Sequence, residues 1–139
     1  MTDCPLCAAG GDLLWQDALC RVVLAGDVDY PGFCRVILNR HIKEMTDLPA
    51  AERQRLMAVV FAVEAALREI LNPDKINLAS LGNMVPHLHW HVIPRFADDR
   101  HFPDAVWAAP RRDGTAHAGE DLRPRLVRAL AAALGPDRE

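Results

Sequence analysis

His87-Leu88-His89-Trp90-His91-Val92-Ile93 gathers three of the chain's six histidines into five residues and alternates them with apolar side chains. A period of two is that of a β-strand, whose successive side chains point to opposite faces. The three imidazoles are therefore expected on one surface, with Leu88, Trp90 and Val92 on the other. An imidazole near neutral pH can be donor, acceptor, base or nucleophile. On the residues alone three readings stay open. One is a surface strand that happens to carry histidines. Another is a metal site, in which His-x-His offers two nitrogens to zinc, copper or iron. The third is phosphoryl chemistry, with a central nucleophilic imidazole flanked by two that hold the oxygens.

Working outward, Lys75 to Leu81 reads as a neighbouring strand, separated from the histidine strand by the turn-like Gly82-Asn83. Before it, Leu56, Val59, Val60, Val63, Leu67, Ile70 and Leu71 recur at helical spacing. Thr46 or Asp47 is the expected N-cap, Pro49 falls in the first turn, and Asn72-Pro73 stops the helix, since proline disfavours helix in the residue before it. Leu13-Leu14-Trp15 and Cys20 to Leu24 read as two strands joined by a tight turn at Gln16-Asp17-Ala18. After the loop Gly26 to Gly32, Phe33 to Leu38 reads as a third strand. Leu122, Leu126, Leu130 and Leu134 mark a last helix, bounded by Asp121 and Gly135-Pro136, that packs either on the domain or on a partner chain.

With 139 residues, half of them hydrophobic, the chain can bury one core and is short for two domains. A net charge of −3 gives no broad cationic surface for a polyanion, so nucleic-acid binding is not expected as the main task. A small phosphorylated ligand needs only a few local donors. The N-terminus lacks the basic and apolar segments of a secretory signal. The longest apolar stretch, Leu56 to Leu67, is interrupted by Glu64 and is shorter than the ~20 residues a bilayer span needs. No membrane association and a cytoplasmic location are expected, and there Cys4, Cys7, Cys20 and Cys34 would be thiols or metal ligands.

The heptapeptide resembles the histidine-triad (HIT) signature, His-φ-His-φ-His-φ-φ, with every φ apolar. The Pro94-Arg95 that follows is common in that family, and the preceding helix, strand and turn come in its order. The resemblance covers about residues 4 to 108. It implies an α+β fold: an antiparallel sheet of about five strands with one long helix packed on it, plus the C-terminal helix. We accordingly divide the chain into a HIT-like domain at 1–109 and a C-terminal extension at 110–139. It also implies a two-fold homodimer and an enzyme acting on adenylated nucleotides, either dinucleoside polyphosphates or nucleoside phosphoramidates. Attack at the α-phosphate would pass through a covalent nucleotidyl-histidine, with no cofactor required for the chemistry. His89 would be the nucleophile, with a backbone carbonyl accepting from its other nitrogen to fix the tautomer. His87 and His91 would flank the phosphate, and protonated neighbours, backbone N–H groups and Arg95 would supply positive charge and protons. Gly82-Asn83 resembles the family's Gly-Gln, so the Asn83 amide is expected at the phosphate or leaving group. Asp27 stands where relatives carry a ribose-binding acid, though a turn aspartate explains it equally. Tyr30 either walls the base pocket or packs in its turn. Met84 departs from the family's usual Ser or Thr, which removes one hydroxyl contact.

Cys4-Pro5-Leu6-Cys7 has the spacing of a zinc knuckle but supplies two of four ligands, so two bystander thiols are the competing reading. The resemblance implies completion by His41 and His87, giving a structural zinc on Cys4, Cys7, His41 and His87. Cys20 and Cys34 are expected as small core residues, His101 and His117 as surface histidines, and Trp107, which could close over the site or cap the core, as core packing. Two rival functions remain: a nucleotide-binding sensor without significant turnover, and a strand-borne metal enzyme.

Overall fold

The computed structural model describes residues 4–7 and 11–138. Five strands form one sheet: β1 (Asp12–Gln16), β2 (Cys20–Leu24), β3 (Cys34–Leu38), β4 (Lys75–Ala79) and β5 (His89–Arg95). Their order is β1-β2-β3-β5-β4, and every neighbouring pair is antiparallel. The long helix α1 (Ala50–Leu71) joins β3 to β4, and α2 (Leu122–Leu134) closes the chain. The architecture is the expected α+β one. No described helix is long and apolar enough to cross a membrane.

The β1–β2 turn is tight because the Asp17 carboxylate accepts from the N–H groups of Leu19 and Cys20, both at 2.9 Å. One sheet face carries Cys20, Val22, Cys34, Val36, Leu38 and Val92 into the core, where Leu56, Val59, Val60, Val63 and Leu67 of α1 meet them. Cys20 and Cys34 are buried thiols, and burial pushes each up to about 12. The opposite face, away from α1, carries His89 and His91.

The start of α1 differs from expectation. Met45–Asp47 forms a 3-10 turn, and the cap position is Pro49, which makes no side-chain cap bond. Proline has no N–H to leave unsatisfied and its φ already suits the helix, so the chain enters without a polar cap. At the other end Asn72 takes the left-handed conformation, its N–H bonding Arg68 O, and Pro73 forbids continuation. The helix α2 packs on its own chain, against α1 and β1. Leu126 and Leu130 are wholly buried, and Trp15 Nε1 donates to Gly135 O at 3.0 Å. Residues beyond 109 are also stitched to those before: Arg111 N bonds Arg100 O and Thr115 N bonds Asp98 O, both at 2.9 Å.

Candidate active site

The histidine strand begins two residues later than the sequence suggests. Leu88 is held between Ile42 O, which accepts from its N–H, and Leu38 N, which donates to its carbonyl. Regular pairing starts only at His89, opposite Ile37, and His91 lies opposite Arg35. His87 is thus outside β5. Ser80 Oγ donates to His89 O at 2.7 Å, which ties down the strand's start.

His89 is 8 % exposed, and its Nδ1 lies 2.6 Å from His87 O. A carbonyl can only accept, so Nδ1 carries the proton and Nε2 presents a lone pair. His91 follows at a ring-centre distance of 4.9 Å, edge to face. Burial first, then the neighbouring His89 and Arg35, push its pKa down to about 4, and its Nδ1 is buried without a hydrogen-bond partner. An unpartnered buried polar atom beside an accessible lone pair marks a place where a ligand would complete the bonding.

His87 is wholly buried and turns into a different constellation. Its Nε2 donates to Leu38 O at 2.6 Å, so Nδ1 holds a lone pair. That nitrogen lies 3.4 Å from Cys4 Sγ, 3.5 Å from Cys7 Sγ and 3.3 Å from His41 Nδ1, while Cys7 Sγ is 3.1 Å from His41 Nδ1. All four candidate ligand atoms lie within 4.8 Å of one another. Tetrahedral zinc with ordinary Zn–N and Zn–S bonds sets ligand-to-ligand edges of roughly 3.4–3.8 Å. Two thiols and two imidazoles with this spacing fit zinc in number, softness and geometry. Both ring nitrogens of His87 are engaged, so the expected phosphate contact from its side chain has no nitrogen left to make it. Burial also holds His87 below the usual histidine value. His91, pushed down to about 4, is therefore not the protonated neighbour that the sequence suggested.

A cavity of about 450 Å³ opens beside the first residues of β5, lined by Lys43, Thr46, Ser80, Gly82, His87 and His89 among others. Asn83, in the adjoining turn, is exposed. Asp27 Oδ1 accepts from Asp29 N at 2.9 Å, which is a turn role, and leaves the other carboxylate oxygen without a partner among the described residues. Tyr30 is 3 % exposed, and its hydroxyl meets Asp99 at 3.0 Å and His101 Nδ1 at 2.6 Å, so it is a packing residue and not the wall of an open pocket. Arg95, expected at the phosphate, is 2 % exposed. Its guanidinium donates to Asp99, to Asn77 Oδ1 at 2.8 Å and to Asp104 O at 2.7 Å. It is spent on structure.

Four placements escaped the sequence. His101 is buried against Tyr30, ring centres 5.7 Å apart, and His117 stacks on Phe96 while bonding Asp98 at 2.7 Å; neither is a free surface histidine. Trp107 is 52 % exposed, not core, and its ring stands 5.0 Å from that of His91. Arg35 lies across the ladder from His91 with its guanidinium 5.5 Å over the Phe33 ring, and no acid among the described residues pairs with it. For Arg35 the signal was present: an arginine alternating with core residues in a central strand faces whatever the histidines face. For Trp107 closure over the site was one of two readings, and nothing in the sequence could choose it over core packing, because only tertiary folding brings its loop back.

The HIT domain profile matches residues 9–98. An AP-4-A phosphorylase of Mycobacterium tuberculosis is 30% identical over 78 residues, 52% of this chain and 40% of that protein. A bis(5'-nucleosyl)-tetraphosphatase (asymmetrical) of Schizosaccharomyces pombe is 29% identical over 83 residues, 56% of this chain and 46% of that protein. The chain thus spans less than half the length of these curated relatives. Among solved structures, a histidine triad protein from Bradyrhizobium japonicum superposes with a TM-score of 0.70 at 31% identity, covering 88% of this chain and 91% of that one. A Zn-bound histidine triad family protein from Mycobacterium smegmatis gives 0.66 at 25% identity, covering 94% and 95%. Signature, strand order and profile agree, and the chain belongs to the HIT family.

Proposed function

We propose that the protein is a nucleotide hydrolase or transferase acting at the α-phosphate of a dinucleoside polyphosphate or a nucleoside phosphoramidate, with His89 as nucleophile. The observation that carries this reading is the 2.6 Å bond from His89 Nδ1 to His87 O, which fixes the tautomer of the neutral ring so that the lone pair for attack is on Nε2. In the first step Nε2 bonds to the α-phosphorus and the bond to the leaving group breaks. The leaving group keeps that electron pair and takes a proton from a neighbouring donor or water. In the second step water attacks the same phosphorus, the N–P bond breaks with its electrons returning to Nε2, and the water proton passes to solvent. Lys43, which lines the cavity with His89, Arg35, opposite His91 across the ladder, and backbone N–H groups are sources of positive charge for the phosphoryl oxygens, with the Asn83 amide of the adjoining turn as a further donor. The names of the curated relatives support the dinucleoside polyphosphate half of this reading.

In the same reading Cys4, Cys7, His41 and His87 hold one zinc ion. Its chemistry there is that of a structural cross-link, tying the Cys4–Cys7 turn to the start of the histidine strand. His87 does two things at once: its ring belongs to the cluster and its carbonyl fixes the His89 tautomer. A two-fold homodimer completes the proposal, because the edge strands β1 and β4 each leave an outer side unpaired among the described strands. The test is His89→Ala. It should lose turnover of diadenosine tetraphosphate by orders of magnitude while binding AMP as before. Near-normal turnover would overturn the assignment.

A further inference from the structure

The wall of the base pocket, once withdrawn from Tyr30, needs another candidate, and the loop after β5 offers one. Trp107 is an exposed indole within two ring contacts of the reacting nitrogen: 5.0 Å to His91, and from there 4.9 Å to His89. An exposed tryptophan on a loose loop would mean little. This loop is held by an unusual outlay of buried polar bonding. The Arg95–Asp99 ion pair is almost completely buried, and Asp99 accepts from the N–H groups of Phe96, His101 and Phe102 besides. Arg95 then donates to Asp104 O at 2.7 Å, and Arg112 to Phe102 O at 2.9 Å. Val106, next to the indole, packs on Phe33, Tyr30 and Ile93.

The same network joins this loop to the one carrying Asp27. Tyr30 OH bonds Asp99, and Arg100 approaches Asp29 at 3.9 Å. A carboxylate suited to ribose hydroxyls and a preorganised aromatic face are therefore borne on two fastened loops at the same end of β5. We propose that Trp107 is a substrate-contacting residue whose indole stacks on a nucleobase. The inference rests on the nucleotide reading of the site and names the part of the substrate that this end takes. Planarity and π-surface are what the indole recognises, so tolerance of different bases is expected. The stacked base belongs either to the nucleotide transferred to His89 or to the leaving half of a dinucleoside polyphosphate.

Calorimetric titration of the full chain with AMP and with ribose 5-phosphate separates these cases. Trp107→Ala should weaken AMP about ten-fold and leave ribose 5-phosphate within about two-fold. Trp107→Phe, which keeps an aromatic face, should restore most of the AMP affinity while losing the fluorescence quenching that adenine stacking imposes on the indole. If AMP is unaffected but the KM for diadenosine tetraphosphate rises about ten-fold at constant kcat, the stacked base is that of the leaving group. Unchanged AMP affinity and unchanged KM would overturn the platform alone, as would equal weakening of AMP and ribose 5-phosphate. Failure of the unsubstituted protein to bind AMP would overturn the nucleotide reading, and the platform with it.

Discussion

Replacing Asp99 by asparagine should destabilise the protein more than any single change of a surface acid. The Asp99 side chain is 1% exposed and that of Arg95 is 3%, with 2.9 Å between Arg95 Nε and Asp99 Oδ2. Burial works to raise the Asp99 carboxyl, but Arg95 and the N–H groups of Phe96 and His101 outweigh it and hold it well below the usual carboxylate range. The asparagine side chain removes the charge and turns an NH2 group toward donors. Arg95 is left buried with only Asn77 and the Asp104 carbonyl. Breaking a buried pair in this way costs about 3–5 kcal/mol. At roughly 3–5 °C per kcal/mol for a chain of this size, the melting temperature should fall by about 10–25 °C. Arg95→Met should cost less, because the carboxylate keeps its backbone donors. Since the folded pKa is depressed, this stabilisation is present above the ordinary carboxylate pKa of ~4 and fades as pH falls below it. Thermal melts of both variants from pH 3 to 7 check the reasoning. A loss under about 1 kcal/mol for Asp99→Asn, or a greater loss for Arg95→Met, would refute it.

Leu126→Ala should cost about 2–5 kcal/mol, because its fully buried side chain belongs to the common core; a denaturation midpoint unchanged from the parent would mean that α2 is not docked in solution. Protein purified without added metal should contain about one zinc per chain. Cys4→Ser should lower that content together with the melting temperature, and a metal-free protein of ordinary stability would leave both thiols as bystanders. Arg35→Gln should reduce kcat/KM for diadenosine tetraphosphate by at least about ten-fold, since a charge-assisted bond to phosphate is worth about 1.5–3 kcal/mol. Retention of full kcat/KM would remove Arg35 from the site.

The heptapeptide and the helical run before it specified the fold because both are periodic, and period is what a sheet or a helix reads out locally. The close of α1 was equally legible, since Asn72-Pro73 leaves no helical alternative. Legibility ended where one residue could serve two masters. His87 obeys the alternation, yet the bonds around Leu88 delay the strand and turn its ring toward Cys4, Cys7 and His41. Arg95 follows the signature, but a buried acid four residues on claims its guanidinium. No periodicity announces such a pairing. His101 lies in a segment whose polar, proline-containing composition reads as surface, and Trp107 reads as a large apolar side chain for the core. Their actual places depend on Asp99 gathering the backbone around itself.

The central claim is that His89 carries the nucleotidyl group. Rapid quenching of the protein with diadenosine tetraphosphate, followed by intact mass measurement and peptide mapping, tests it directly. The expected result is a transient adduct of one nucleoside monophosphate, acid-labile as an N–P bond should be, on the peptide containing His89. It should be absent from His89→Ala and present in His91→Ala. Turnover without any adduct at times shorter than one catalytic cycle, or an adduct that survives in His89→Ala, would contradict the account.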